Sequence, residues 1–192
     1  DVVLHATSSG TTGQKSQMFF DQDTFDFGNS MIENEFRYFG FVSDEPTNYV
    51  LFTYEPAPSS MNLGTAKTDM GMLSYAPVND TFFALRYNGQ DHDFDVYGTI
   101  KAVDEYEESG LPVRIFGFPS FLYFTVKQMK DTGHRPLKLN KKSMTMLGGG
   151  WKGYADKQIQ KSELYALVEE MLGIPEVNCR DGYGSTEHSV PY

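Results

Sequence analysis

Short runs dense in Val, Ile, Leu, Phe and Tyr alternate along this chain with longer segments whose apolar residues recur at helical spacing. The runs VVLHA (2–6), QMFFD (17–21), YVLFTY (49–54), TFFALRY (81–87), PVRIFGF (112–118), SMTMLG (143–148) and VNCRDGY (177–183) read as strands. The clearest helix spans 157–172, where Leu164, Leu167, Val168, Met171 and Leu172 repeat on one face. Gly173 and Pro175 stop it. A second spans 119–132, with Phe121, Leu122, Thr125 and Met129 on one face, Pro119 in the first turn and Gly133 past its end. A third covers roughly 24–40 on Phe25, Ile32, Phe36 and Phe39. Repeated strand–helix–strand units predict the α/β class, a largely parallel sheet flanked by helices, with residues 1–192 as a single domain. Ligands of such sheets gather at the carboxyl ends of the strands. The loops 7–16, 148–153 and 182–189 each follow a strand and are expected to share that rim.

Composition narrows the function. With 192 residues, 12 Tyr and 15 Phe, the chain has the length and the apolar bulk for a real core. A formal charge of -10 argues against nucleic-acid or anionic-membrane partners, because their phosphates would be repelled. It leaves room for a local phosphate site built from backbone N–H groups and a lysine. The single cysteine, Cys179, excludes an internal disulfide and fits a reducing, cytoplasmic setting. No apolar run reaches the roughly 20 residues that span a bilayer. Asp1 opens directly into a strand and Tyr192 closely follows a glycine loop, so both ends read as cut from a longer polypeptide.

Two loops carry chemistry. Thr7 to Ser16 packs hydroxyls around Gly10 and Gly13 and sets Lys15 at the edge. The glycines let N–H groups turn inward and the hydroxyls add rotatable donors, which suits an anion. The same composition also makes a solvated hairpin turn. It is not a Walker A loop, since Gly10 and Gly13 stand only three apart. The second loop, Gly182 to His188, puts the carboxylate of Glu187 beyond a glycine turn, where it could hold Mg2+ with nucleotide phosphates, or lie on the surface as an ordinary acid. Tyr183 could stack on a base or pack as a plain aromatic. Gly148, Gly149 and Gly150, before Trp151, either admit a ligand close to the backbone or form a flexible turn.

The loop SSGTTG (8–13) resembles the S-G-T-T-G phosphate loop of the adenylate-forming superfamily of acyl-CoA synthetases and firefly luciferase. YGSTE (183–187) resembles its Y-G-x-T-E signature, in the same order along the chain. With TYEPAPSSMNLG (53–64) and LGGGWKG (147–153), the chain is most similar to the acyl-protein synthetase, LuxE-like branch, over essentially its whole length. Phenylacetate-CoA ligases are that branch's near relatives. The resemblance implies part of the large N-terminal domain of such an enzyme, truncated, with the C-terminal lid domain and its catalytic lysine absent. It implies ATP-dependent activation of a carboxylic acid, a fatty acid by the branch, to an acyl-adenylate, followed by transfer to a protein thiol. Acyl-CoA or aryl-CoA ligation, or a non-catalytic nucleotide- or acyl-binding domain, are the alternatives.

Carried over residue by residue, Ser8, Ser9, Gly10, Thr11, Thr12, Gly13 and Lys15 would hold phosphate. Gly148, Gly149, Gly150, Tyr183, Gly184 and Ser185 would cradle the adenine and AMP, while Thr186 and Glu187 act at the reacting phosphate and Glu187 holds Mg2+. His188 and Trp151 would contact substrate, and Phe116, Phe118, Phe121 and Trp151 are candidates for an acyl slot, although core packing explains each more simply. The family loop usually ends T-G-x-P-K; here Lys15 and Ser16 stand at the proline and lysine positions. Oligomeric state stays open.

Other residues read as structural. Cys179 is expected to be a buried strand residue. The cluster from Asp91 to Asp95 lacks the glycine and glutamate of an EF-hand and reads as acids at a helix N-terminus. His5 and His134 show no partner spacing, and EYEE (105–108) reads as a solvated helix face.

Overall fold

A computed structural model describes residues 2–7, 17–56 and 71–182. Strands β1 (Val2–Thr7) and β2 (Gln17–Asp21) form a two-stranded antiparallel ribbon. Helix α1 (Gln22–Tyr38) follows it, capped by Asp21, whose Oδ1 accepts from the Thr24 N–H at 2.9 Å. The main sheet holds β3 (Thr47–Tyr54), β4 (Val78–Tyr87), β5 (His92–Phe94), β6 (Val113–Gly117), β7 (Met144–Leu147) and β8 (Cys179–Asp181). Its order is β5-β4-β3-β6-β7-β8, parallel except where β5 turns back on β4. Helices α2 (Val96–Ser109), α3 (Pro119–Asp131) and α4 (Lys161–Leu172) supply the crossovers into β6, β7 and β8.

Alternation along the strands sorts the core into two layers. Val50, Phe52, Val113, Ile115, Leu147 and Cys179 face α2 to α4 and pack with Val126, Met129 and Val168. Tyr49, Leu51, Phe116, Met144 and Met146 face the other way, onto Phe36 of α1 and Phe41 beyond its end. Phe116 is thus core, 2% exposed, and stacks with Phe41 and Tyr49 away from the acyl-slot candidates Phe118 and Phe121. Cys179 is buried as expected, and burial raises its thiol pKa.

The structure corrects several expectations. Residues 8–16 and 183–189, expected to share a rim with 148–153, lie outside the described residues, while β1 lies outside the parallel sheet that holds β7 and β8. The physical reason is length: the short 8–16 connection permits a hairpin, whereas a parallel crossover needs about a dozen residues or more. EYEE is not simply solvated. Tyr106 is buried and donates to Asp80 Oδ2 at 2.9 Å, and burial, then that hydrogen bond, raises its phenol pKa. Glu107 accepts from Arg135 and from the Lys138 N–H, each at 2.6 Å. His134 Nε2 meets Asp104 Oδ2 at 3.1 Å across 30 positions, and His5 stacks on Phe19 at 4.5 Å between ring centroids, partners that local spacing does not reveal. Residues 92–94 form β5, while Asp95 does cap α2, its Oδ1 accepting from Gly98 N–H at 2.8 Å. Among the described residues no group of three His, Cys, Asp or Glu could hold a metal ion.

One buried charge ties the layers together. Arg114, 3% exposed on the α1 face of β6, donates to Lys142 O at 2.7 Å and to Gly40 O at 3.0 Å. Its guanidinium lies over the Phe41 ring, 5.7 Å from the centroid. Burial lowers its pKa, while Tyr49 and Glu45 pull the other way. The carbonyls it serves follow α1 and precede β7, so a single side chain closes both connections. Replacing it strands those acceptors. Arg114→Met is expected to lower the unfolding free energy by roughly 2–4 kcal/mol in urea titrations, since each orphaned buried acceptor costs about 1–3 kcal/mol.

Glu107 generates a pH prediction. Its hydrogen bond from Arg135, and then that from the Lys138 amide, hold its carboxyl below the usual value. A pKa depressed on folding gives stability that is present above the unfolded value, about 4.3, and lost as pH falls through the folded one. Thermal midpoints of wild type and Glu107→Gln are therefore expected to differ at neutral pH and to converge below about pH 4.

Candidate functional site

The chain leaves β3, β6, β7 and β8 at the carboxyl rim of the sheet. From β3 the chain leads to β4 on one side, and from β6 it leads to β7 on the other. The crevice between the ends of β3 and β6 is therefore the topological switch point of the sheet. Tyr54 and Glu55 leave β3 there, and Phe118 leaves β6.

Backbone hydrogen bonds continue past the strand ends. Phe118 N–H donates to Phe52 O at 3.0 Å, Gly148 N–H to Gly117 O at 3.0 Å, and Gly182 N–H to Leu147 O at 2.8 Å. The approach is close enough to require glycine at two positions. A Cβ on Gly117, whose φ is +120°, would lie 2.4 Å from Phe52 O, and one on Gly148 would lie 2.8 Å from Gly182 O. The loop after β7 then coils through positive φ at Gly149, Gly150, Lys152 and Gly153. Gly149 rests against Phe118, whose ring a Cβ would meet at 2.7 Å, whereas a Cβ on Gly150 would meet nothing within 4 Å.

Phe118 is the hub of an aromatic wall. Its ring meets Tyr54 at 5.8 Å and Phe121 at 6.2 Å between centroids. Lys152 Nζ lies 4.6 Å over it. Phe121 continues to Tyr154 at 5.8 Å, Tyr154 to Phe124 at 4.9 Å, and Tyr123 meets Trp151 at 5.5 Å. Trp151 and Phe121 thus stand on one wall, between α3 and the glycine loop.

At the end of β8, Asp181 pairs with Lys161 from the first turn of α4. Burial, then its contact with Asp181, raises the phenol pKa of Tyr165. Gly148, Gly149, Gly150 and Trp151 are therefore brought beside the point where the second signature loop begins. Tyr183 to His188 and Ser8 to Lys15 lie outside the described residues, and Thr7 contributes only its strand position.

Sequence reasoning missed one cluster. Glu55 Oε2 accepts from Tyr87 N–H at 2.9 Å and lies 3.3 Å from Arg86 Nε. His92 Nε2 lies 2.8 Å from the Glu55 carbonyl oxygen, its ring between Tyr54 at 5.1 Å and Tyr87 at 5.4 Å. The dipeptide Asn88-Gly89 was the available signal, a hairpin turn that brings His92 back opposite Tyr87. At the far end, Glu33, Arg37, Val42, Ser43, Asp44 and Tyr75 contribute to the lining of an open cavity of about 550 Å³, at the amino ends of β3 and β4 and away from this rim.

This fold is that of an adenylation domain. The solved structure of McyG A-PCP complexed with phenylalanyl-adenylate matches all of the chain with a TM-score of 0.62 at 12% identity, over 26% of that chain. The chain belongs to the LuxE acyl-protein synthetase family, whose model matches residues 2–190. A long-chain-fatty-acid–luciferin-component ligase of Vibrio harveyi is 23% identical over 192 residues, 97% of this chain and 47% of the relative. The chain thus spans about half the length of that relative.

The rim glycines should differ in what they tolerate. Gly117→Ala combines left-side backbone strain with a clash on a carbonyl and is expected to cost about 3 kcal/mol or more in urea unfolding. Gly150→Ala, with open space but φ of +71°, is expected to cost about 1–2 kcal/mol.

Proposed function

We propose that this chain is the adenylating core of an acid–thiol ligase. In this reading a carboxylic acid, most simply a fatty acid, is activated with ATP to an acyl-adenylate and the acyl group passes to a protein thiol. Family membership across residues 2–190 is the observation that carries the reading. The Vibrio harveyi relative's description as a long-chain-fatty-acid ligase supports the acid, and the adenylate held by the structural relative supports the intermediate. The aromatic wall of Phe118, Phe121, Tyr123 and Trp151 offers the apolar surface an acyl chain needs.

Within this proposal Ser8, Ser9, Gly10, Thr11, Thr12, Gly13 and Lys15 hold the β- and γ-phosphates. Gly148 to Gly150 with Tyr183, Gly184 and Ser185 hold adenine, and Thr186 and Glu187 act at the α-phosphate. Mg2+ would accompany the nucleotide, held by Glu187, and neutralise phosphate charge. His188 contacts substrate. The residues form a single α/β domain working in the cytoplasm, with the lid supplied elsewhere in the polypeptide. Among the described residues no helix is long and apolar enough to cross a membrane. Ser16, at the usual lysine position, favours a second reading, a domain that binds nucleotide without turnover.

ATP–pyrophosphate exchange on the complete polypeptide, with short to long fatty acids and aryl acids, separates the two. Acid-dependent exchange that falls about a hundredfold in Glu187→Gln and in Thr12→Val is the expected outcome. ATP binding without exchange for any acid would sink the ligase in favour of the binding domain. Trapping labelled acyl on protein or on CoA then identifies the acceptor.

A further inference from the structure

We propose that Lys152 receives a substrate oxyanion at the rim, a role resting on the adenylation reading above. Among the described residues it is the one non-glycine residue with positive φ, at +32°. Residues with a Cβ avoid that region, and the loop already uses glycine at 149, 150 and 153. A lysine kept where glycine would relax the backbone points to its side chain.

That side chain stands at the right place. Nζ lies 4.6 Å over Phe118, which caps the start of α3 and closes the switch-point crevice. Arg86 lies beside Glu55 and Lys161 pairs with Asp181, whereas Lys152, like Lys157 farther along the wall over Phe124 and Tyr154, has no carboxylate at ion-pair distance among the described residues. Positive potential is reinforced at the same spot. Helix α3 begins at Phe118 and Pro119 without a side-chain cap, and the buried Ser120 Oγ in its first turn has no hydrogen-bond partner. In a chain of net charge -10, an exposed lysine, an uncapped helix start and a neighbouring backbone of glycines form a local anion trap.

Both substrates of an acid-activating ligase are oxyanions, the carboxylate of the acid and the phosphates of the nucleotide. The experiment separates the sources. Apparent KM for ATP and for the acid are measured by pyrophosphate exchange on the complete polypeptide for wild type, Lys152→Met, Lys152→Gly and Lys152→Arg. The Met and Gly variants are expected to raise one KM about tenfold or more, as loss of a charge-assisted hydrogen bond does. The Arg variant should stay near wild type, and the Gly variant should melt no lower than wild type because it relieves the backbone. A raised acid KM identifies the carboxylate and a raised ATP KM the phosphate. Both KM values unchanged in the Met and Gly variants would overturn the proposal. If the wild type shows no exchange, the adenylation reading fails on its own. Titration with inorganic pyrophosphate and with a fatty acid by calorimetry then decides: weaker binding in Lys152→Met sustains the oxyanion role, and equal or absent binding refutes it.

Discussion

The close approach of backbones at the carboxyl ends of the strands constrains the rest of this rim. Here the Phe118, Gly148 and Gly182 amides keep the first loop residues in the ladder. That forces the loops after β6, β7 and β8 to leave side by side, with no room for a Cβ at Gly117 or Gly148. Glycine at those positions is the steric consequence of the rim's construction, and the freedom of the next residues follows from it. The loop that follows coils through left-handed conformations, which glycine at 149, 150 and 153 adopts without strain.

The two ends of the sheet are finished differently. At the amino ends, polar groups are mostly answered from within: Val113 N–H donates to Ser143 Oγ at 3.0 Å, and Asn178 Nδ2 reaches the Lys141 and Ser143 carbonyls at 3.1 Å each. Arg114 closes two connections there with its terminal nitrogens. At the carboxyl rim, Thr53 Oγ1 and Ser120 Oγ stay buried without partners. Buried hydroxyls cost free energy unless something pairs with them. Buried polar atoms without partners also occur at Arg114 Nε, Thr145 Oγ1, Tyr165 Oη and Arg180 Nε, so unmet hydrogen-bonding capacity is spread through the sheet and its helices and includes the rim.

Every strand but β5, three residues of mostly polar sequence, was legible as a short β-rich run, and the helices were legible because Leu164, Val168, Met171 and Leu172, or Phe121, Leu122, Thr125 and Met129, keep one face apolar. Two features escaped for physical reasons. The ribbon β1–β2 has strand composition but no crossover, and sheet membership is set by connection length rather than by residue type. The pair His134–Asp104 and the Glu55–His92 contact join residues far apart in sequence, which no local period encodes. At the site, the glycines were readable as a place for close approach. Lys152 was not, because a lysine signals nothing until its φ and its place over Phe118 are known.

Acidity and anion handling are reconciled by scale. A charge of -10 spread over the surface acts at long range and is screened within about a Debye length, roughly 8–10 Å. Backbone N–H groups and a helix start act over a few ångströms and carry no counter-charge to lose. Several surface lysines are already held by carboxylates, Lys127 by Asp131 on the next turn and Lys130 by Glu170 of α4. Lys152, with no carboxylate partner among the described residues and an uncapped helix start beside it, therefore contributes a local potential of its own. On the proposed reading, an acidic protein concentrates its attraction for anions in this way, in fixed dipoles and a well-placed charge rather than in a basic face.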